Sequence, residues 1–270
     1  MFKDNVIIIT GASSGIGREL SYQLAGQGAL LVLAARNQSR LEEVAAKCRE
    51  KGAKTLVVKT DVGQESECHN LIARTIAEYG RIDTLINNAG FGLGGKFDEQ
   101  PNLELFKSVL NVNFLGSVYC TYYALPYLKK SKGRIVGVSS IVGKIGFHES
   151  SAYCASKFAM AGFFDSIRTE IAPNGISVTI VYPGLVASEF RERVLSPDGI
   201  PIGNSGPKDP PLLTMRADKC ASLIIKAAAR RKRDLVLSFY GKLGIWLNFF
   251  APSLLDRLIP WVRRQEKHYK

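Results

Sequence analysis

Six short runs constrain the fold of this chain more than any other feature: Val6–Thr10, Leu30–Ala34, Thr55–Lys59, Thr84–Asn87, Arg134–Ser139 and Ser177–Tyr182. Each is rich in Val, Ile, Leu or Thr, and none alternates apolar with polar residues as a strand with one wet face does. Strands lacking that alternation are covered on both sides, the condition of a parallel sheet between two helical layers. The segments between them supply the helices. Leu41, Val44, Ala45 and Cys48, like Leu71, Ile72, Thr75, Ile76 and Tyr79, recur at the spacing of one apolar helical stripe. The pattern predicts a doubly wound α/β domain, in which ligands gather outside the carboxyl ends of the strands.

The alternation stops after Tyr182. Residues 197–213 hold five prolines and three glycines, which predicts a long loop inside a substrate-loop region spanning 185–215. A helical pattern resumes at Met215–Ala229, and Asp234–Phe239 reads as a last strand. We expect one domain over residues 1–240 and a basic, apolar C-terminal extension over 241–270.

Composition removes several classes. Five cysteines are scattered without a C-x-x-C pair, which argues against a disulfide framework and a zinc site; with three dispersed histidines, no metal is expected. The apolar run Val6–Ile9 is too short for the core of a signal peptide, so a cytoplasmic protein is expected. The long uncharged stretch Ser108–Leu128 contains Asn111, Asn113, Gly116, Ser117 and Thr121, and reads as a buried helix rather than a membrane span. Of the net charge of +12, +9 lies between Arg216 and Lys270. The cluster Arg230–Arg233 is short and has no aromatic stacking platform beside it, so no nucleic-acid partner is expected.

The first strand runs into Thr10-Gly11-Ala12-Ser13-Ser14-Gly15-Ile16-Gly17 and then into a helix. Glycines there allow a tight turn and let backbone N–H groups approach a pyrophosphate at the positive helix end. The second strand ends Ala34-Ala35-Arg36-Asn37, without the carboxylate that would hold both hydroxyls of an NAD ribose. Arg36 offers a guanidinium to a 2′-phosphate instead, which favours NADP(H).

Tyr153 and Lys157 stand four apart at the start of a helical stretch and so share one face. A lysine charge beside a phenol favours the phenolate. The pair is a weak signal alone, but Val138-Ser139-Ser140 and Asn87-Asn88-Ala89-Gly90 end predicted strands at the same sheet edge. Strand alternation sends Ser139 and Ser140 to opposite faces, and the thirteen-residue spacing to Tyr153 favours Ser140. His148 reads as a surface residue, while Phe91, Phe147 and Tyr182 suit either a substrate cavity or the core.

The set T-G-x-x-x-G-I-G, N-N-A-G, V-N-x-x-G, S-S, Y-x-A-S-K and P-G-x-V, in order from Asn5 to Ser188, resembles the short-chain dehydrogenase/reductase family. Gly143–Arg168 looks like its hydroxysteroid-dehydrogenase branch. The resemblance implies a Rossmann-type fold and an NADP(H)-dependent oxidoreductase acting on a ketone, aldehyde or alcohol, with an apolar, steroid-like or lipid-like substrate. It implies Tyr153 as the proton-exchanging group, with Lys157 holding the nicotinamide ribose and lowering the tyrosine pKa. Ser140 would bind the substrate oxygen, and Asn113 would anchor a water relay. Thr10, Gly11, Ser13, Ser14, Gly15, Ile16 and Gly17 would line the pyrophosphate. Asp61 and Val62 would border the adenine, and Asn88, Ala89 and Gly90 would support the central sheet. Pro183, Gly184, Val186 and Ser188 would flank the nicotinamide. Cys154 stands where a serine commonly follows the tyrosine, and Ser188 where a threonine is common. NADP-preferring members often carry a basic residue where Ser14 stands. A non-catalytic nucleotide sensor or scaffold on the same fold is the competing reading, disfavoured by the intact Asn–Ser–Tyr–Lys set.

A homodimer or homotetramer is expected through the uncharged helices of Leu103–Leu128 and Ala152–Ile171, which would otherwise expose an apolar stripe. The thirteen uncharged residues Leu243–Leu255 are flanked by basic ones and accompanied by Trp246 and Trp261. They suit either peripheral contact with an anionic membrane or packing as a closing helix.

Overall fold

In the computed structural model, residues 1–203 and 213–259 are described. Their first half forms β1 (Val6–Thr10), α1 (Gly15–Ala25), β2 (Leu30–Ala35), α2 (Gln38–Glu50), β3 (Thr55–Lys59), α3 (Glu65–Tyr79) and β4 (Thr84–Asn87). Then come α4 (Glu104–Leu110), α5 (Gly116–Ser131), β5 (Arg134–Val138), α6 (Ser151–Ile171) and β6 (Ser177–Tyr182). The last part holds β7 (Val186–Ala187), β8 (Met215–Arg216), α7 (Ala217–Ala229), β9 (Asp234–Val236) and α8 (Phe239–Phe250).

Seven strands make one sheet in the order β3-β2-β1-β4-β5-β6-β9, with every neighbouring pair parallel. Burial explains why the strands lack polar alternation. Ile7 and Ile9 of β1 and Leu31 and Leu33 of β2 face α1, α2 and α7, where they meet Leu20, Leu24, Leu41 and Ile224. Val6, Ile8, Val32 and Ala34 point the other way and meet Leu71, Cys120, Leu128 and Phe164 of α3, α5 and α6. Each large side chain so buried contributes about 1.5–3 kcal/mol. The strand order reverses direction at β1 and β4, and the crevice there is where such a sheet accepts ligands.

The cysteines belong to this packing. All five are buried free thiols, and burial pushes Cys48 up to about 11 and Cys220 up to about 12, so both stay neutral.

Three local expectations need correction. The last strand stops at Val236 rather than Phe239, because the Ser238 side chain accepts the Gly241 N–H and caps α8. The helix expected across 103–128 is interrupted: Asn111–Leu115 forms one π turn between α4 and α5. It is not buried all round either, since Tyr122 is 70% exposed on α5. The loop after β6 is only partly irregular: its two ends pair in parallel as β7 and β8, and its residues 204–212 lie outside the described residues. Trp261 lies outside them too.

The face of α8 turned inward carries small residues. A Cβ on Gly241 would lie 2.8 Å from the Ile141 side chain and one on Gly244 3.4 Å from Ile145, while Asn248 donates to the Lys144 carbonyl at 3.4 Å. Its other face exposes Phe239, Leu243, Trp246, Phe249 and Phe250. No helix among the described residues is long and apolar enough to cross a membrane.

Candidate active site

The turn from β1 into α1 is held from β4. Thr10 Oγ1 accepts the backbone N–H groups of Asn88 (3.0 Å) and Ala89 (3.1 Å), and Asn88 Nδ2 donates to the Thr10 carbonyl at 2.9 Å. Gly11 and Gly15 take left-handed backbone, with φ of +68° and +51°. Gly17 answers a different demand, since a Cβ there would lie 2.2 Å from the Gly11 carbonyl oxygen and 2.7 Å from Asn88 Nδ2. Ser13, Ser14 and Ile16 remain partly exposed along the turn, and Arg36 is exposed directly after β2. Beyond β3, the Asp61 carboxylate accepts the Gly63 N–H at 3.0 Å, and Val62 is buried against Gly116 at the start of α5.

The amino end of α1 already carries an anion. Glu189 Oε2 accepts the Gly15 N–H at 3.1 Å, and its Oε1 accepts from Arg18 Nη1 at 2.6 Å. Burial alone would raise the Glu189 pKa, but its own amide, Arg18 and the Gly15 N–H outweigh that and hold it below the ordinary carboxylate value. A carboxylate thus sits where free N–H groups and the helix dipole favour negative charge. The turn is therefore chemically fit to hold a pyrophosphate.

Across the crevice, Ser140 follows β5 and opens a 3-10 turn over Ile141–Gly143. Its hydroxyl lies 3.5 Å from the Pro183 carbonyl, accepts the Val142 N–H at 3.4 Å and bonds the Tyr153 phenol. Ser139 turns the other way, donating to the Lys157 carbonyl at 3.1 Å, so Ser140 alone of the two serines reaches the site. Lys157 is only 3% exposed; its Nζ donates to the Val138 carbonyl at 2.9 Å and lies 5.7 Å from the centre of the Tyr153 ring. Asn113 is fully buried in the π turn. Its amide exchanges hydrogen bonds with the Phe91 backbone, both at 2.9 Å, and donates to Ser156 Oγ at 3.0 Å. Gly90 lies against both: a Cβ there would be 2.9 Å from Asn113 Oδ1 and 3.5 Å from Lys157 Nζ. The Asn113 side chain therefore ties the chain beyond β4 to α6.

Burial dominates the electrostatics. It pulls Lys157 down from 10.5 to about 8 and pushes Tyr153 above the ordinary phenol value, the latter opposed by the Ser140 hydrogen bond. The net direction at Tyr153 is set by burial, opposite to the lowering expected from Lys157. Tyr153 is thus a protonated phenol at neutral pH, suited to giving a proton rather than taking one.

Pro183 and Gly184 follow β6, and Tyr240 of α8 closes over them. Tyr240 Oη accepts the Leu185 N–H at 2.6 Å, and a Cβ on Gly184 would lie 2.0 Å from that oxygen. Beyond Val186, Ser188 crosses Gly15, where its Cβ would be 3.1 Å from a Cβ on the glycine. The Phe190 ring then packs 5.6 Å from that of Tyr153, centre to centre. His148 is exposed beside Glu149, as a surface residue should be, and Tyr182, which suited cavity or core, is fully buried in the core.

The sequence did not single out Glu189, Phe190, Arg193 or Tyr240 as site residues. The alternating charges of Glu189–Arg193, directly after Pro183-Gly184, were the available signal, but no local periodicity says that this loop folds back onto Gly15. No cluster of three or more metal-ligating side chains exists among the described residues.

Comparison with known proteins follows the same lines. The short chain dehydrogenase family matches residues 5–198. An Arabidopsis thaliana protein named 11-beta-hydroxysteroid dehydrogenase-like 4A is 36% identical, over 93% of this chain and 82% of its own length. An 11-beta-hydroxysteroid dehydrogenase of Pinus massoniana is 37% identical, over 93% of this chain and 72% of its own. Among solved structures, an alcohol dehydrogenase from Thermococcus sibiricus complexed with 5-hydroxy-NADP superposes with a TM-score of 0.76 at 24% identity, over 87% of this chain and 97% of that one. Levodione reductase does so with a TM-score of 0.77 at 24% identity, over 88% and 97%. At that identity the two structures speak for the fold alone.

Proposed function

Because this chain belongs to the short-chain dehydrogenase family, we propose that it is an NADP(H)-dependent oxidoreductase that reduces an apolar ketone or aldehyde to the alcohol. The observation that carries the reading is the convergence of Ser140, a protonated Tyr153 and the buried ammonium of Lys157 at one sheet edge, facing an anion-holding turn. The cofactor supplies the hydride when bound.

Each residue has a task in this reading. The Gly15 N–H and its neighbours in the turn bind the pyrophosphate, and Arg36 binds the 2′-phosphate. Ser140 donates to the substrate oxygen and orients it toward Tyr153. Tyr153 gives its proton to that oxygen, and the charge of Lys157 stabilises the phenolate left behind. Lys157 also holds the ribose beside Tyr153, and Pro183, Gly184, Val186 and Ser188 bound the nicotinamide subsite. Phe190 and Tyr240 give that side of the site aromatic walls, which suits an apolar substrate, as do the hydroxysteroid names of the relatives.

Purified protein should oxidise NADPH with a subset of aldehydes, ketones and 3-ketosteroids. Tyr153→Phe should keep wild-type NADPH affinity while turnover falls by about 10²–10⁴-fold, the usual contribution of a positioned acid. Near-normal turnover in that variant would refute the mechanism.

A further inference from the structure

We infer that Arg193 is a second guanidinium for the 2′-phosphate of the dinucleotide, brought to the site by the segment 188–194 rather than by the nucleotide-binding turn. The inference rests on the NADP(H) reading above.

Three observations carry it. Arg193 Nη1 donates to Ser14 Oγ at 2.7 Å, so its charge lies at the turn position whose side chain is a neutral hydroxyl in this chain. Its Nη2 is buried and has no acceptor among the described residues. A buried donor on a charged group is costly to leave unmet, so an orphaned guanidinium edge points to an anion that completes it. Finally, the charge of Arg40 acts on it. Arg40 stands in the first turn of α2, where its backbone N–H donates to the Asn37 side chain at 3.0 Å. Burial first, and then the charge of Arg40, hold the Arg193 pKa below the usual guanidinium value against the opposing pull of Glu189 and Glu192. A guanidinium held at the turn by one edge, with its other edge unfilled, forms a cradle for a dianion.

Position separates this anion from the pyrophosphate. On the same segment, Glu189 lies at Gly15 and Arg18, on the amino end of α1. Arg193 reaches Ser14 instead, and a charge acting on it comes from Arg40 of α2, the helix that follows Arg36, where the adenosine ribose is expected. The segment therefore brings a carboxylate to the pyrophosphate position and a guanidinium toward the 2′-phosphate. Since Phe190, between them, packs on Tyr153, the same segment joins cofactor recognition to the acid of the reaction.

Calorimetric titration tests this without turnover, using NADP+, NAD+ and 2′,5′-ADP against wild type, Arg36→Ala, Arg193→Ala and Arg193→Lys. Arg193→Ala should weaken NADP+ and 2′,5′-ADP by about 10- to 100-fold, the worth of a charge-assisted contact, and change NAD+ by less than about twofold; lysine should recover part of the loss. Equal losses for NADP+ and NAD+ would place Arg193 on the pyrophosphate and overturn the inference, as would no loss at all. A wild type that prefers NADP+, with the preference removed by Arg36→Ala but not by Arg193→Ala, overturns the inference alone. A wild type that binds both nucleotides equally overturns the NADP(H) reading together with it.

Discussion

Lys157→Met is expected to remove a pH dependence from the stability of the fold, because the wild-type ammonium is held in a place that penalises charge. Lys157 is 3% exposed, and burial brings it from 10.5 to about 8. At about 1.36 kcal/mol per pH unit, the native state carries a penalty of roughly 3 kcal/mol wherever the lysine is charged in both native and unfolded chains. That is the case below pH 8. Between pH 8 and 10.5 the native lysine gives up its proton while the unfolded one keeps it. The unfolded state then binds more protons, and stability rises with pH. From pH 7 to pH 10 the wild type should therefore gain about 2–3 kcal/mol relative to Lys157→Met, in which nothing titrates at this position. Losing the hydrogen bond to the Val138 carbonyl costs the variant about 1–3 kcal/mol, but that offset is the same at every pH. Tyrosines and thiols titrate in both proteins and cancel in the difference. Urea unfolding of the two proteins at pH 7, 8, 9 and 10 measures it. A difference in unfolding free energy that stays constant across that range would refute the reasoning.

Gly17→Ala should cost at least about 1–3 kcal/mol and abolish dinucleotide binding, because its Cβ would meet the Gly11 carbonyl oxygen at 2.2 Å and backbone must move. Thermal unfolding and NADPH titration read both losses, and unchanged binding would contradict the role given to the turn. Glu189→Gln should tighten NADPH and NADH alike, since it removes the carboxylate occupying the pyrophosphate position. The Arg18–Glu189 pair is about a third exposed, so the gain should be modest, about 1.5- to 5-fold. Weaker binding of both nucleotides would show that Glu189 supports the site instead. The exposed aromatic face of α8, with Lys242 and Arg257 beside it, should bring the full chain down with anionic liposomes at low salt, while a chain ending at Phe239 stays in solution. Full-length protein left in the supernatant would assign that face a different partner.

The sheet was legible in the sequence because a strand buried on both sides leaves an unbroken apolar run, and six of the seven strands carry one. The seventh, β9, is three residues long at the sheet edge, and its pattern runs on into the cap of α8, so its end was misjudged. The site residues at strand ends were legible for the same reason: the turn glycines, Ser140 and Asn88 sit at fixed distances from strands that could be counted. Helical spacing put Tyr153 and Lys157 on one face, but their roles came from the resemblance to the short-chain dehydrogenase/reductase family. Glu189, Arg193 and Tyr240 were not legible, because their placement depends on chain folding back over 55 to 179 residues. The competition between burial and the Ser140 hydrogen bond at Tyr153 also depends on packing depth, which no four-residue spacing encodes.

The π turn at Asn111–Leu115 makes the length of its helix more exacting than its composition. An α-helix advances each side chain by about 100° around its axis, and a π turn absorbs one additional residue. Within that turn, Asn113 points at Phe91; downstream, Ser117 donates back to the Asn113 carbonyl and Thr121 receives Asn87. Removing one residue from the turn would give a more regular helix, but the two halves would fall out of phase. Either Asn113 would swing off the segment beyond β4 or Thr121 would swing off β4 itself. Along this stretch, substitutions on the solvent side are cheap, whereas a single-residue deletion disconnects the helix from one side of the crevice or the other.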